Sequence, residues 1–389
     1  GISSIFHHFK MGSLIFESNQ ALNTKLPNRD AFESGIYVSN KSSYGTHWAL
    51  EYGIRLSMFN AVGPGESYSF DSDGAISNIE THEDFKEFKT YYGWEPRVGV
   101  NYIINEKMSI KAGYNRNYQY LHLLSNSTSS QPTDLWVPSS SHVKPQIADQ
   151  VSLGYFVNFG KDNMFEAYVD VYYKNLQNLV DYKNGADVLF NKYYEADLAF
   201  GKGYSVGAEF FVKKRKGRFT GWVGYTISRT RRTVPEINNG KEYSARQDRT
   251  HDLSVVLMFD ITKRVSISTN FVFYTGDAVT WPSGKYSVDG NLVPLYSERN
   301  SYRMPNYHRM DLGLTVKGKE FRKKRDENGN LIKKRFRSTY SVSIYNVYAR
   351  QNAYTIEFQQ VEGKPFEYEA NQLALFSIVP SFTWNFKFR

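Results

Sequence analysis

Apolar and polar residues alternate along most of the chain with a period of two, which is the pattern of half-buried β-strands. The run Val265–Tyr274 is a clear case, with apolar or Thr side chains on one face and mostly polar side chains on the other. The same alternation predicts strands at Trp48–Met58, Val98–Ile104, Met108–Tyr114, Val151–Phe159, Phe165–Lys174, Tyr204–Val212, Phe219–Ile227, Leu253–Phe259, Leu312–Val316 and Tyr340–Ile344. With strand-like sequence also at Gly1–Lys10 and at the C-terminus, we predict an all-β chain of about 14 strands.

The connections between these strands alternate between short and long. Asn105–Lys107 and Ile261–Lys263 are typical of the short connections. The long connections cover approximately Asn60–Thr90, Leu121–Gln146, Asp181–Lys202, Thr230–Gln247, Asp277–Pro305 and Gln351–Gln372. Outer-membrane barrels have short periplasmic turns and long external loops. The alternation therefore favours a transmembrane antiparallel β-barrel over a soluble sandwich, with the N-terminus on the periplasmic side.

The composition agrees with crossing a membrane by strands. The chain is rich in Tyr (30) and Phe (27), yet its mean hydropathy is −0.53. No run approaches the roughly 20 apolar residues that a spanning helix needs. A barrel strand presents only every second residue to lipid, so high aromatic content and overall polarity are compatible. The absence of cysteine excludes disulfides, zinc–thiolate sites and cysteine nucleophiles.

The net charge of +9 indicates an anionic partner. We interpret that partner as the lipids and lipopolysaccharide of the outer membrane, because no base-reading motif supports nucleic acid. The most basic segment is Lys317–Arg337, where Asn328–Asn330 is a hairpin-turn signal. We predict two strands that protrude into the periplasm as a solvated charged hairpin.

The C-terminal strand places Phe382, Trp384, Phe386 and Phe388 on one face. Alternating aromatic residues at the end of the chain are typical of the periplasmic aromatic girdle of a barrel. An ordinary core strand is the alternative interpretation.

Several segments together resemble a known family. They are Glu95–Tyr102, Ser109–Arg116, Gln119–Leu123, Pro132–Pro138, Lys144–Gln146, Ser152–Tyr155, Tyr172–Leu176, Asp248–Leu253, Tyr345–Tyr348 and the final strand. In order and spacing the chain resembles the C-terminal barrel portion of a TonB-dependent outer-membrane receptor, most closely of the Bacteroidetes type. The resemblance implies that residues 1–389 are the C-terminal part of a barrel of about 22 strands. The plug domain and the first strands would lie outside this sequence, and Gly1 would be an internal point of a longer protein.

The resemblance also implies function and partners. It implies active uptake of a nutrient such as a glycan, siderophore, cobalamin or peptide, without a cofactor and without enzymatic activity. The implied partners are the N-terminal plug and strands of the same receptor, the TonB complex through the missing N-terminal segment, and a surface lipoprotein. A complete passive channel of about 14 strands remains an alternative. An outer-membrane enzyme or adhesin is a third, but it would need a converging nucleophile and base, which we do not find, and no HExxH motif occurs.

Two groups of residues are candidates for function. Charged residues on the polar faces of strands should point into the lumen, where they could hold the plug: Glu51, Arg55, Arg97, Lys111, Glu166, Asp170, Glu209 and Asp311. Aromatic residues near the loops could stack on a ligand or lie at the external girdle: Tyr91, Tyr92, Trp94, Tyr118, Tyr120, Trp136 and Trp281. The run Asp71–Gly74 meets the calcium-loop pattern only in part, and we predict no metal site.

Overall fold

Fourteen antiparallel strands follow one another in a single sheet, in the same order as in the sequence. The computed structural model describes residues 1–14, 24–71, 75–125, 134–186, 191–288, 291–296, 298–325, 331–361, 364 and 367–388. The strands are β1 Ile2–Phe9, β2 Arg29–Tyr44, β3 Trp48–Val62, β4 Glu87–Asn105, β5 Met108–Gln119, β6 Gln146–Phe159, β7 Phe165–Tyr182, β8 Leu198–Lys214, β9 Phe219–Thr233, β10 His251–Asp260, β11 Val265–Tyr274, β12 Tyr307–Lys317, β13 Phe336–Tyr345 and β14 Val379–Phe388. A short strand, Tyr243–Ser244, also pairs with β9.

The predicted all-β class and the number of strands are confirmed. Helical structure in the described residues is limited to three short 3-10 turns, at Lys161–Asn163, Tyr194–Asp197 and Asn238–Gly240. No helix in these ranges is long and apolar enough to cross a membrane. Among the described strands, β1 and β14 do not pair with each other, so the sheet is open at both edges.

The sheet has one apolar face that remains exposed and one polar face. Val171 on β7 lies in register with Leu153 on β6 and Ala208 on β8. Val171 and Leu153 are 44% and 52% exposed, although both are aliphatic. The neighbouring Asp170 points to the opposite face, in register with Glu209. Continuous rows of exposed aliphatic and aromatic side chains are expected where hydrocarbon, rather than water, covers a sheet.

The long connections contain secondary structure that the sequence pattern did not predict. Four of them form two-stranded hairpins: Gly65–Phe70 with Ile76–His82, Leu121–Leu124 with Leu135–Pro138, Gly284–Val288 with Asn291–Leu295, and Thr355–Gln360 with Tyr368–Leu373. Several sheet strands also extend beyond their predicted ends, and β7 continues to Tyr182. The loops therefore contain hairpins that are separate from the main sheet, together with extensions of its strands.

The predicted basic hairpin on the side of the short turns is present. Phe321–Arg325 pairs with Leu331–Lys333, and the turn signal Asn328–Asn330 lies outside the described residues. β13, which follows this hairpin, and its neighbour β14 carry a cluster of aromatic rings at the same end of the sheet. Phe336 stacks on Phe386 at 5.9 Å between ring centroids and also contacts Phe388. The exposed aromatic end of β14 is thus placed as a girdle would be.

Candidate functional site

The external loops fold against one another into a buried cluster next to the polar face of the sheet. The cluster contains Met11, Leu26, Leu124, Val137, Val143, Val180, Tyr182, Tyr194 and Leu198. These residues come from loops and strand ends that are far apart in sequence. Burial of apolar side chains fixes the relative positions of the loops, as it does in a protein core.

A buried ion pair lies beside this cluster. Arg29 is 4% exposed and Glu195 is 2% exposed, with 3.8 Å between Arg29 Nη2 and Glu195 Oε1. The Ser140 hydroxyl donates to Glu195 Oε2 at 3.0 Å, and Arg29 donates to the carbonyl of Glu66. Arg29 also lies over the ring of Tyr68, 5.7 Å from its centroid. The pair therefore connects four separate segments of the external region.

Burial shifts the pKa values of two external side chains, Glu195 and His122, in opposite directions. It raises the pKa of the Glu195 carboxyl, although Arg29 and Ser140 act in the opposite direction. Burial lowers the pKa of His122 to about 4. The His122 ring accepts a hydrogen bond from Gln146 Nε2 at Nδ1, at 3.1 Å, and its Nε2 lies 3.0 Å from Ser139 Oγ. Both environments favour the neutral form of a buried group.

A cavity of about 1240 Å³ opens between the external ends of the strands and their loops. Its aromatic lining consists of Tyr182, Trp281, Tyr286, Tyr296 and Phe358. Four basic and three acidic residues also line it: Lys183, Arg232, Arg246, Arg299, Asp181, Glu298 and Glu357. Flat rings next to charged and amide groups suit a large polar ligand with planar parts.

Asp181 holds the wall of this cavity together. Its carboxylate accepts a hydrogen bond from Arg299 Nη1 at 3.0 Å and another from the Tyr243 hydroxyl at 3.0 Å. Arg299 Nη2 also donates to the carbonyl of Tyr182 at 3.0 Å, and Asn238 accepts from the Arg299 backbone N–H at 2.7 Å. Arg299 therefore fixes the loop after β11 to the end of β7. Sequence reasoning missed Asp181, Arg299, Arg29 and Glu195, since none of them belongs to a recognisable motif.

The structure separates the predicted ligand-binding aromatic residues into three groups. Tyr91, Tyr118 and Tyr120 belong to one packed cluster, in which Tyr120 is 3% exposed and stacks on Phe59 at 5.0 Å. Tyr92, Trp94 and Trp136 are exposed, and the register places the first two in the apolar row with Met58 and Leu56. Trp281 lines the cavity, with its ring 5.7 Å from that of Phe358.

The predicted lumen residues all lie on the polar face by strand register: Glu51, Arg55, Arg97, Lys111, Glu166, Asp170, Glu209 and Asp311. Three of them have an ion-pair partner: Arg55 with Glu95 at 3.8 Å, Glu166 with Arg215 of the following turn at 2.5 Å, and Asp311 with Arg309 at 3.0 Å. Lys111 lies over the ring of Phe156 at 4.3 Å.

Asp170 and Glu209 face each other directly across β7 and β8. Like charges opposed in this way destabilise a strand pair.

The partial calcium loop Asp71–Gly74 lies mostly outside the described residues, since only Asp71 is among them. Within the described ranges, no group of three or more His, Asp or Glu side chains could hold a metal ion.

The model of the family described as TonB dependent receptor-like, beta-barrel matches residues 11–347. No curated protein matches the sequence significantly.

Three solved structures illustrate the similar folds. They are the ferric-catecholate import receptor Fiu from E. coli K12 in its closed form (14% identity, TM-score 0.55, covering 92% of this chain and 44% of that chain), the FrpB iron transporter from Neisseria meningitidis (16%, 0.53, 94% and 46%), and the siderophore receptor PiuA from Acinetobacter baumannii (12%, 0.58, 92% and 44%). At this level of identity the matches demonstrate a shared fold. The chain spans less than half the length of each of these proteins.

Proposed function

The chain belongs to the TonB-dependent receptor-like β-barrel family, and from this premise we propose that the receptor it forms imports a nutrient across the outer membrane by TonB-dependent active transport. Members of this family are transport receptors of the bacterial outer membrane, not enzymes. The observation that carries the proposal is a sheet with an exposed apolar face and a charged opposite face, topped by packed external loops. In such a receptor the TonB complex would act through a segment that precedes the plug.

The external cavity supports a substrate that is large, polar and partly planar. The similar solved proteins are named as receptors for iron chelates, and an iron chelate combines planar rings with charge. We therefore place a siderophore ahead of a glycan, cobalamin or peptide as the cargo. Trp281 is the aromatic candidate that the cavity favours for stacking on the ligand, and Arg299 positions the loop beside it.

The lumen charges support a plug inside the barrel. The opposed carboxylates Asp170 and Glu209 would be relieved by a basic group of a plug domain on the same face. A barrel of about 22 strands requires further strands beside β1, which would cover the open edges of this sheet. A Bacteroidetes-type receptor with a surface lipoprotein stays part of the proposal. The open sheet does not favour the alternative of a complete passive channel.

The direct test is uptake by the full receptor in a strain that lacks the native gene. We expect uptake of one class of ferric siderophore that requires TonB and stops in a TonB-deficient strain, while surface binding persists. Trp281→Ala should weaken binding by up to about tenfold, the upper end of the roughly 0.5–1.5 kcal/mol of an aromatic contact. Trp94→Ala, on the apolar face, is the matched control and should bind normally. Uptake that continues without TonB, with ion conductance, would instead establish a passive channel.

A further inference from the structure

The positive charge of the chain is concentrated on one side and in one sector of the sheet. Residues 317–337 contain ten basic and three acidic residues, a net charge of +7 against +9 for the whole chain. The β8–β9 turn, over residues 213–218, adds a net charge of +5 and the β10–β11 turn, over residues 260–264, adds +1. The three preceding turns on the same side are neutral when His is uncharged: residues 43–48, 105–107 and 160–164.

The three basic turns form one continuous surface, because they join consecutive strand pairs and are hydrogen-bonded to one another. Arg218 Nη2 donates to the carbonyl of Ile261 at 2.6 Å, and Arg264 Nε donates to the carbonyl of Lys317 at 2.8 Å. Lys317 in turn donates its backbone N–H to the carbonyl of Arg264 at 2.8 Å. We call this surface, residues 213–218, 260–264, 317–321 and 334–337, the basic rim. Within the described side chains of these turns, Arg215 pairs with Glu166 and Arg337 pairs with Glu320.

The basic rim begins where the apolar face of the sheet ends. Lys214 lies over the ring of Phe219 at 5.6 Å, and Arg218 lies over the ring of Phe259 at 5.4 Å. Both rings are exposed members of the apolar rows, in register with each other. Aromatic rings with cations just beyond them mark the depth of lipid headgroups.

We propose that the basic rim binds anionic phospholipid headgroups of the periplasmic leaflet and anchors this sector of the barrel to them. The proposal depends on the short turns lying on the periplasmic side of the membrane, as they do in this family. It does not depend on which cargo the receptor imports. Hairpin cations such as Lys319, Lys334 and Arg335 are exposed and extend beyond the aromatic girdle of β13 and β14. Phosphate-bearing headgroups fit because they offer many acceptors at one depth, whereas an acidic protein would need a complementary shape.

The test uses the full receptor reconstituted in phosphatidylcholine bilayers, with spin-labelled phosphatidylglycerol or spin-labelled phosphatidylcholine as the probe. Electron paramagnetic resonance measures the fraction of each probe lipid that the protein immobilises. The wild type should prefer phosphatidylglycerol. The triple variant Lys319→Gln/Lys334→Gln/Arg335→Gln should lower that preference about threefold. This is a modest expectation, because a single basic residue near an anionic surface can raise lipid binding roughly fivefold. The preference should also fall at an ionic strength of about 1 M, where the Debye length is about 3 Å.

The matched control is Lys86→Gln/Lys144→Gln/Lys241→Gln, which removes three exposed cations from the external loops. It should leave the lipid preference unchanged. Equal preference in the wild type and the hairpin variant would overturn the proposal, and so would an equal loss in the control. Binding of soluble polyglutamate that only the hairpin variant loses, without any lipid preference, would overturn it in favour of an acidic protein partner.

Discussion

The buried pair of Arg29 and Glu195 offers a sharp test of how the external loops are held. Arg29→Met keeps the apolar stem but leaves the Glu195 carboxylate buried without a cationic partner, with hydrogen bonds from Ser140 and Tyr194. Removing one member of a buried ion pair costs about 3–5 kcal/mol. The cost has an upper bound, because the carboxyl can take up a proton instead. From an ordinary pKa of 4.5, this bound is about 4 kcal/mol at a pH near 7.5.

Hydrogen–deuterium exchange of the full receptor measures this cost locally. The amides of Tyr194 and Ala196 donate backbone hydrogen bonds at 3.2 and 2.9 Å and report on the opening of this loop. A loss of about 3–4 kcal/mol corresponds to exchange that is about 10²- to 10³-fold faster. The double variant Arg29→Met/Glu195→Gln should recover most of the protection, because no buried charge remains.

The pH dependence of the Arg29→Met variant follows from the same carboxyl. Burial raises the folded-state pKa of Glu195, so protonation stabilises the folded loop relative to the open one. The lost protection should return as the pH falls towards the ordinary value of 4.5, after correction for intrinsic exchange rates. Lys192→Met, which breaks the more exposed pair with Glu66, is the matched control and should cost at most about 1 kcal/mol. Unchanged exchange in Arg29→Met at neutral pH would refute the reasoning.

Three further predictions concern packing, acidity and the membrane face. Phe59→Ala should destabilise the barrel by about 3–5 kcal/mol in urea unfolding, because Phe59 is fully buried against Tyr120; a loss below about 1 kcal/mol would contradict this packing. The hairpin that carries His122 should lose up to about 3 kcal/mol of stability as the pH falls from 6.5 to about 4, because His122 is protonated only in the open state over that range. In a hydrogen-exchange experiment, His122→Gln should remove this pH dependence. Val171→Arg should cost about 2–4 kcal/mol of folding free energy in bilayers, whereas Tyr172→Arg on the polar face should cost clearly less; equal costs would argue against the assigned faces.

Much of the fold could be predicted, because a period of two residues indicates both where a strand lies and which of its faces is apolar. The run Val265–Tyr274 is predicted and observed with the same bounds, as β11. Strand ends were less predictable. Beyond Lys174, β7 leaves the apolar alternation and continues to Tyr182 through a register shift between Leu176 and Leu179. Pairing with β8, rather than the sequence pattern, determines where this strand ends.

The external site could be predicted only in part. An aromatic residue near a loop has the same local pattern whether it is exposed, like Trp136, or buried, like Tyr120. The difference arises from contacts across loops, in this case the stacking of Tyr120 on Phe59. Likewise, nothing near Arg29 in the sequence points to Glu195, because their contact depends on how several loops pack together. Long-range packing of this kind leaves no periodic signal.

The central claim is that the exposed apolar rows face lipid and the charged face encloses the lumen. It can be tested with single spin labels along β7, at Val169, Asp170, Val171, Tyr172 and Tyr173 of the full receptor in bilayers. The chain contains no cysteine, so one introduced cysteine at a time can be labelled within it. We predict that accessibility to oxygen peaks at positions 169, 171 and 173, and that accessibility to a water-soluble nickel reagent peaks at 170 and 172 or is blocked there by the plug. Oxygen maxima at 170 and 172, or no alternation along the strand, would contradict the account.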